Sequence, residues 1–328
     1  MTDPSRSSSR PTTGRPVSEP KSPLLPYLAL VALALLWGVS FLFIKIAVHD
    51  MSPTALVLIR SGSGFVALTL IVWAMRRPLL GDGWKRRVIP FAVMGVVNGV
   101  LPWFLIAWGE QRISSGMASI LNATTPLWAA VLVYWLIPAE RPSLINYGGV
   151  VIGLGGVVIL VIPEISRSGL GGDTLGVLAV VLASVSYALA ALFQRTRMRG
   201  LDVYQASLGQ LAGTAVISLP FAIPALPGIH LDARSVGAAL GLGVGGSAVA
   251  YLLYFYILNS LGPVRALGVT LLVPVTAVFW GVILLHEVLS VPIVSGMVVI
   301  LIGIVLSNVR RRAPRREPVV EPADTAAA

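Results

Sequence analysis

The chain has no cysteine and few charged residues. The absence of cysteine excludes a disulfide framework, a thiolate zinc site, an iron–sulfur cluster and a cysteine nucleophile. Charged residues make up 12% of the 328 residues, about half of the ~25% that is usual for soluble domains. A soluble fold of this size could not cover its surface with so few charges. We therefore exclude an ordinary soluble enzyme, a disordered protein and a nucleic-acid-binding protein.

Long apolar runs fill most of the chain, and 56% of its residues are apolar. A helix needs about 20 largely apolar residues to cross the hydrocarbon core of a bilayer. The stretches that meet this requirement are ten: 26–48, 53–75, 88–108, 113–136, 144–162, 174–194, 203–223, 235–258, 264–285 and 291–309. The sequence thus predicts an all-α polytopic membrane protein with ten transmembrane helices.

Charge is almost absent from these stretches. All 14 acidic residues lie outside them, and the charged residues inside are Lys45, Arg60 and Arg265. Proton-coupled carriers usually place a titratable acid inside the membrane, so we expect any coupling not to use a buried carboxylate. Glu140 and Glu287 precede the fifth and tenth stretches, where an acid complements the dipole of the helix that follows.

Basic residues between the stretches predict the orientation. With a cytoplasmic N-terminus, 18 of these 21 Lys and Arg residues fall on the cytoplasmic side and 3 on the outer side. This positive-inside bias predicts a multi-pass plasma-membrane protein with both termini in the cytoplasm. Residues 1–25, rich in Ser, Pro and Arg, are predicted to be a disordered cytoplasmic tail, and residues 310–328 a basic cytoplasmic tail.

The chain also contains an internal repeat. Pro126 recurs as Pro274, 148 residues later, and the pair Gly149 and Gly156 recurs as Gly296 and Gly303. Residues 26–162 and 174–309 are therefore predicted to be two copies of a five-helix unit. Because five is odd, successive copies cross the membrane in opposite senses. Inverted repeats of this kind are typical of secondary transporters, whose substrate site lies near the bilayer midplane between the copies.

Several motifs follow one another in a characteristic order. They are Trp37-Gly-Val-Ser-Phe, Arg60, Asn122-Ala-Thr-Thr-Pro126-Leu, Ala139-Glu-Arg and Gly262-Pro-Val-Arg265-Ala. In this order they resemble the EamA-type transporters of the drug/metabolite transporter superfamily, over residues 26–309. The resemblance implies a ten-helix inverted-repeat transporter that moves small metabolites, often out of the cell. It does not identify the substrate. Members often carry Glu before the proline of the ninth stretch, where this chain has Val273.

Polar and aromatic side chains inside the stretches are the candidates for substrate contact, since polar groups in hydrocarbon need partners. The candidates are Trp37, Arg60, Asn98, Asn122, Tyr187, Gln210 and Tyr254, with Trp103 and Tyr251 as further aromatics that could line a cavity. Each has a structural alternative, in which Arg60 anchors neighbouring helices, the amides join helices and the aromatics pack. Pro126 and Pro274 are candidates for gating helix breaks, or else static kinks. Lys45 is expected to extend toward the membrane interface.

These features predict a secondary transporter of small metabolites, amino-acid-like or other small organic solutes, working by alternating access in the direction of efflux. The predicted partners are the solute and the lipid bilayer, and no nucleic-acid partner is predicted. Whether the protein forms a homodimer is left open by the sequence. No cofactor, metal site or catalytic residue is predicted. The alternatives are a channel or scaffold, although no charge ring or filter motif is visible, and a lipid-modifying membrane enzyme, which would need catalytic groups in or near a stretch.

Overall fold

The computed structural model of the protein describes residues 24–81, 83–136, 143–168, 171–198, 200–230, 232–266 and 268–309. Over these ranges the chain is helical and forms no β-strand. The α-helices are α1 (Leu25–Asp50), α2 (Pro53–Ala74), α3 (Val88–Met94), α4 (Leu101–Glu110), α5 (Ser115–Asn122), α6 (Thr125–Leu136), α7 (Leu144–Ser168), α8 (Asp173–Arg197), α9 (Val203–Ala222), α10 (Ala233–Gly243), α11 (Ala250–Ala266), α12 (Val269–Leu285) and α13 (Val291–Ser307).

Most of these helices can cross a membrane. Within the described ranges, eight helical runs are long and apolar enough to do so. The two that follow, α12 and α13, are apolar as well but have 17 residues each. The prediction of an all-helical, multi-pass membrane protein is therefore confirmed, while the count of ten spans and their inverted arrangement stay predictions. The two predicted tails fall almost wholly outside the described residues.

Two of the runs contain a π-helical segment. Gly95–Val100 joins α3 to α4, and Val244–Val249 joins α10 to α11. A π-helical turn closes its hydrogen bonds one residue later than an α-helical turn, and such turns often occur at functional sites. The two segments begin 149 residues apart, close to the repeat period of the sequence.

The fourth apolar stretch is broken into two helices. α5 ends at Asn122, and α6 begins at Thr125 with Pro126 as its second residue. The hydroxyl of Ser184 on α8 donates a hydrogen bond of 3.0 Å to the carbonyl of Leu121, which also accepts hydrogen bonds from the N–H and the hydroxyl of Thr124 at the break. Pro274, by contrast, lies inside the continuous α12. Only the first of the two candidate prolines coincides with a helix break.

The chain turns alternately at two ends of the helix bundle. The end that contains Asp50, Glu110 and His230 is called the Glu110 end, and the end that contains Arg77 and Asp202 is called the Arg77 end. At the Glu110 end, the N–H of His230 donates to the carbonyl of Asp50 at 3.0 Å, and the hydroxyl of Ser235 donates to the Asp50 carboxylate. At the Arg77 end, the guanidinium of Arg77 lies 3.9 Å from the carboxylate of Asp202, and both side chains are nearly half exposed.

Glycines let α7 and α13 approach until their backbones touch. A Cβ placed on Gly149 would lie 2.8 Å from the carbonyl oxygen of Gly303, and one on Gly303 would lie 2.7 Å from that of Gly149. About two turns further along α7, a Cβ on Gly156 would lie 2.9 Å from the carbonyl oxygen of Gly296. Small residues permit this close packing in hydrocarbon, where the hydrophobic effect does not drive helices together.

We expect Gly303→Ala to destabilise the protein by about 1–3 kcal/mol, because the added methyl group overpacks a backbone contact. Thermal unfolding in detergent measures the effect as a lower melting temperature. Gly155→Ala is the matched control, since a Cβ on Gly155 meets nothing within 4 Å; it should leave the melting temperature unchanged or raise it slightly. Equal melting temperatures for Gly303→Ala and the wild type would contradict the close-packed contact.

Candidate functional site

Arg60 is the one cation that lies well inside the bundle among the described residues. It follows Pro53 by seven residues on α2, so it lies about 10 Å from the helix start at 1.5 Å per residue. Its guanidinium carbon lies 4.0 Å from the centre of a Trp103 ring, a cation–π contact. Its Nε donates a long hydrogen bond of 3.5 Å to the hydroxyl of Ser247.

The guanidinium of Arg60 keeps unused donors. Among the described residues it has no other hydrogen bond and no carboxylate within 4 Å. The side chain is half-buried, and its nitrogens are not among the enclosed polar atoms that lack a partner. The free donors therefore keep some contact with space that water can reach.

A second polar branch consists of two amides and a hydroxyl. The Nδ2 of Asn98 donates to the Oε1 of Gln210 at 3.0 Å, and the Nε2 of Gln210 donates to the hydroxyl of Tyr251 at 3.2 Å. Gln210 is buried, with 6% of its surface exposed. A buried amide without partners would be costly, and this chain of bonds joins the first π segment, α9 and α11.

Two tyrosines connect the branches. Tyr187 and Tyr251 both pack against the hydrophobic cluster that contains Trp103, the ring on which Arg60 stacks. Tyr187 also packs against a second hydrophobic cluster, on the side of α1. Arg60 and Gln210 thus belong to one site rather than two.

Aromatic rings extend the site toward α1. The ring centres of Trp37 and Tyr254 lie 5.9 Å apart, those of Tyr254 and Phe255 5.7 Å apart, and those of Phe255 and Tyr251 6.4 Å apart. Such separations are typical of interacting aromatic pairs. The site therefore combines one cation, two amides and a continuous series of rings.

The polar contacts occur in matching pairs along the sequence. Gln210 follows Arg60 by 150 residues, Ser247 follows Asn98 by 149, and Tyr251 follows Trp103 by 148. Arg60 therefore contacts Ser247 and Trp103 in the way that Gln210 contacts Asn98 and Tyr251. This is the arrangement expected when two similar units each contribute half of a site.

The structure brings together most of the residues that the sequence singled out. Arg60, Asn98, Tyr187 and Gln210 lie in the polar part, and Trp37 and Tyr254 in the aromatic part. The Oδ1 of Asn122 is buried and has no hydrogen-bond partner among the described residues, so no hydrogen bond of this atom joins Asn122 to the others. Sequence reasoning missed Ser247, which only its position 149 residues after Asn98 could have indicated. Substrate contact by all of these residues stays a prediction.

One expectation about acidic residues is wrong. Glu110 lies outside the predicted stretch 88–108, yet it is the last residue of α4, with 0% of its surface exposed. Neither oxygen of its carboxyl group has a hydrogen-bond partner among the described residues. Glu164, inside α7, is buried as well. Acidic side chains are therefore present within the helical bundle.

Two side chains near Glu110 have backbone partners. The ammonium group of Lys45 donates to the backbone carbonyls of Glu110 and Ile113 at the end of α4, and its extension toward the membrane interface stays a prediction. Glu287 does not complement the helix that follows it. Its carboxylate accepts hydrogen bonds of 2.7 and 3.1 Å from the N–H groups of Ser115 and Gly116 at the start of α5.

The arrangement is suited to binding a solute rather than a metal ion. Within the described ranges, no group of three or more His, Asp or Glu side chains is placed to hold a metal. The chemistry that the site offers is an unpaired guanidinium, amide hydrogen bonds and aromatic surface.

Comparisons with known proteins place the chain in a family. The model of the EamA-like transporter family matches residues 24–162 and residues 174–309. The uncharacterized transporter YoaV of Bacillus subtilis is 26% identical and covers 86% of this chain and 96% of its own. The uncharacterized inner membrane transporter YedA of Escherichia coli K12 is also 26% identical and covers 91% and 96%.

The fold is shared with a known structure as well. One solved crystal structure aligns with a TM-score of 0.61 over 88% of this chain and 98% of its own, at 19% identity. At that identity the likeness concerns the fold alone. The resemblance that the sequence motifs indicated is confirmed by the family match over most of the chain, and this protein therefore belongs to the EamA-like transporter family.

Proposed function

We propose that this protein is a secondary transporter that moves small carboxylate-bearing metabolites, such as amino-acid-like solutes, out of the cell by alternating access. The observation that carries the proposal is the half-buried Arg60, whose guanidinium has free donors and no carboxylate partner among the described residues. The other features of the site and the fold define what the solute meets and how the protein moves around it.

Arg60 supplies the contact to the carboxylate. An arginine at this depth costs at least about 2.5 kcal/mol, which is why intramembrane cations are usually paired or functional. Trp103 and Ser247 are both neutral, so they leave the positive charge without a counter-charge. A solute carboxylate fits the planar guanidinium with two parallel hydrogen bonds. The carboxylate of the solute then provides the negative counter-charge for Arg60 that the neighbouring side chains of the protein do not provide.

The amides and rings contact the rest of the solute. Asn98, Gln210 and Tyr251 offer both donors and acceptors, which suits an amino or hydroxyl group next to a carboxylate. The rings of Trp37 and Tyr254 offer apolar surface on the side of α1. Binding sites for small molecules usually combine such apolar walls with a few placed polar groups.

Alternating access is supported by contacts that map onto one another. Gly296 follows Gly149 by 147 residues, and Gly303 follows Gly156 by the same number. Exchanging the halves therefore turns the contact between Gly149 and Gly303 into the contact between Gly156 and Gly296. Together with the two π segments and the family match to each half, this supports two inverted five-helix repeats with ten spans, which can exchange conformations.

The charge distribution supports an orientation. The positive-inside bias of the sequence places the Glu110 end outside and the Arg77 end, with both termini, in the cytoplasm of a plasma-membrane protein. The Glu287 contact at the outer end is partly buried, whereas the pair Arg77 and Asp202 is exposed and long. Exposed ion pairs contribute only about 0–1 kcal/mol. The cytoplasmic end therefore opens more easily, which favours loading from inside.

Arg60→Ala should abolish the stabilisation of the protein by carboxylated solutes. A solute at 100 times its dissociation constant stabilises by about 2.7 kcal/mol, and loss of one partner of a charged pair costs about 2–5 kcal/mol of binding. The measurement is a thermal-shift screen of purified protein against amino acids, organic acids, nucleosides and sugars.

Arg112→Ala is the matched control for that screen. Arg112 also stacks on a tryptophan, with its guanidinium carbon 3.6 Å from the ring of Trp108, but it lies outside the site. It should respond to carboxylated solutes as the wild type does. If the same solutes shift Arg60→Ala and the wild type equally, the proposed role of Arg60 is wrong.

The proposed orientation predicts opposite labelling at two loop positions. The chain has no cysteine, so single cysteines need no altered background. Val288 lies in the turn after α12 at the Glu110 end and is 85% exposed, and Leu80 lies near the Arg77 end and is 60% exposed. In intact cells, an impermeant maleimide should label Val288→Cys and not Leu80→Cys. The reverse labelling pattern would contradict the orientation.

A further inference from the structure

Glu110 lies at the same end of the bundle as the last turn of α4, about two helical turns beyond the site. It follows Trp103 by seven residues on α4, and Lys45 follows Trp37 by eight residues on α1. Seven or eight residues are about two helical turns, or ~10–12 Å, and return to the same helix face. Glu110 and Lys45 therefore lie directly above the aromatic and cationic part of the site, between it and this end.

The groups around Glu110 leave its carboxyl group without a donor. The charges that act on it belong to Lys45 on α1, Arg60 on α2 and Glu287 after α12. Lys45 donates to two backbone carbonyls, and Glu287 accepts two backbone N–H groups. Arg60 contacts Trp103 and Ser247.

The part of α8 nearest to Gly109, the residue before Glu110, is uncharged. The parts of α8 that lie against Gly109 are the carbonyl of Gly176 and the side chain of Val180. Among the described residues, no cation lies within 4 Å of the Glu110 carboxyl group, and neither of its oxygens accepts a hydrogen bond.

A carboxylate in such a place is far more expensive than a neutral carboxylic acid. Burial of an ion without compensating hydrogen bonds is so unfavourable that buried groups take up or release a proton instead. The closed arrangement described here is therefore compatible with the acid form of Glu110. Once the helices separate and water enters, the charged form no longer carries this penalty.

We propose that Glu110 binds a proton when the Glu110 end is closed and releases it to water when that carboxyl group becomes hydrated, so that solute movement is coupled to proton movement. This inference rests on the transporter function proposed above. When the opposite end is open, the Glu110 carboxylate takes up a proton from water that has entered the site from that side, and an O–H bond forms. When the Glu110 end opens, that O–H bond breaks, the proton passes to water on this side, and the carboxylate is left; no other bond changes. It reverses the expectation that coupling avoids a buried carboxylate, because that expectation placed Glu110 outside the helices.

Infrared spectroscopy of the full chain in liposomes tests proton binding without any solute. The wild type should show an absorption band of a protonated carboxyl group at neutral pH, and Glu110→Gln should lack it. Glu164→Gln is the control, because Glu164 is also a buried glutamate, with 6% of its surface exposed. It should keep the Glu110 band. An unchanged band in Glu110→Gln would overturn the proposal.

The same variants address the risk of misfolding. Glutamine has nearly the shape of a neutral glutamic acid side chain, but it cannot carry the negative charge of an ionised one. Glu110→Gln should therefore keep the melting temperature of the wild type at neutral pH. A large fall would contradict the proposal, since it would mean that an ionised Glu110 stabilises the fold through its charge.

Flux measurements in proteoliposomes test the coupling. The probes are radiolabelled alanine, phenylalanine and malate, and the driving force is a difference of one pH unit across the liposome membrane. With one proton coupled to each solute, the wild type and Glu164→Gln should concentrate a transported probe on one side of the membrane up to about tenfold over the other side. Glu110→Gln should only equilibrate it. Equal accumulation by Glu110→Gln and the wild type would overturn the coupling.

The two measurements separate this inference from the proposed function. If no protein moves any of the probes, the proposed transport of carboxylates is contradicted, and the infrared band still decides whether Glu110 binds a proton. If the probes move and the band is absent from the wild type, the transporter stands and the proton site does not.

Discussion

The contact of helix backbones across the two halves is the constraint on which the rest of the structure depends. In hydrocarbon, helices associate through close packing and hydrogen bonds rather than through the hydrophobic effect. A Cβ on Gly243 would lie 2.6 Å from the carbonyl oxygen of Arg60, and one on Gly95 would lie 2.7 Å from the backbone of Gly213. These contacts fix the separation of the helices that carry Arg60 and Gln210. The geometry of the site is therefore set by residues that have no side chain and take no part in its chemistry.

Within the polar contacts of the site, the two halves differ in one charge. Arg60 stands where the matching position holds Gln210, while their partners are neutral on both sides. A neutral solute could use the amides and rings but would leave the guanidinium unsatisfied, and a site with unpaired polar groups rejects such a ligand strongly. Under the proposed function, discrimination between solutes comes from the difference between the halves, and the ability to change conformation comes from their likeness.

Much of this could be predicted from the sequence. Apolar runs located the helices, and polarity within those runs identified Arg60, Asn98 and Gln210. Glu110 could not be located this way, because it lies at the edge of an apolar run and its burial depends on α8 and on the backbone carbonyls that Lys45 occupies. Glu287 was assigned to the helix next to it in sequence, whereas the nearest free N–H groups belong to α5. The π segments leave no mark in composition, since the residues that form them also suit an α-helix.

The π segments carry a consequence for the origin of the protein. An extra residue accommodated in a helical turn is what a one-residue insertion into an α-helix leaves behind. Under the proposed duplication, its presence at Gly95–Val100 and Val244–Val249 means that the insertion preceded the copying of the gene segment. The ancestor would have been a five-helix chain that functioned as an antiparallel pair of identical subunits, with both halves of the site alike. On that history, a site with one arginine and one glutamine arose only after the two copies could diverge, so the asymmetry of the proposed site is younger than the fold.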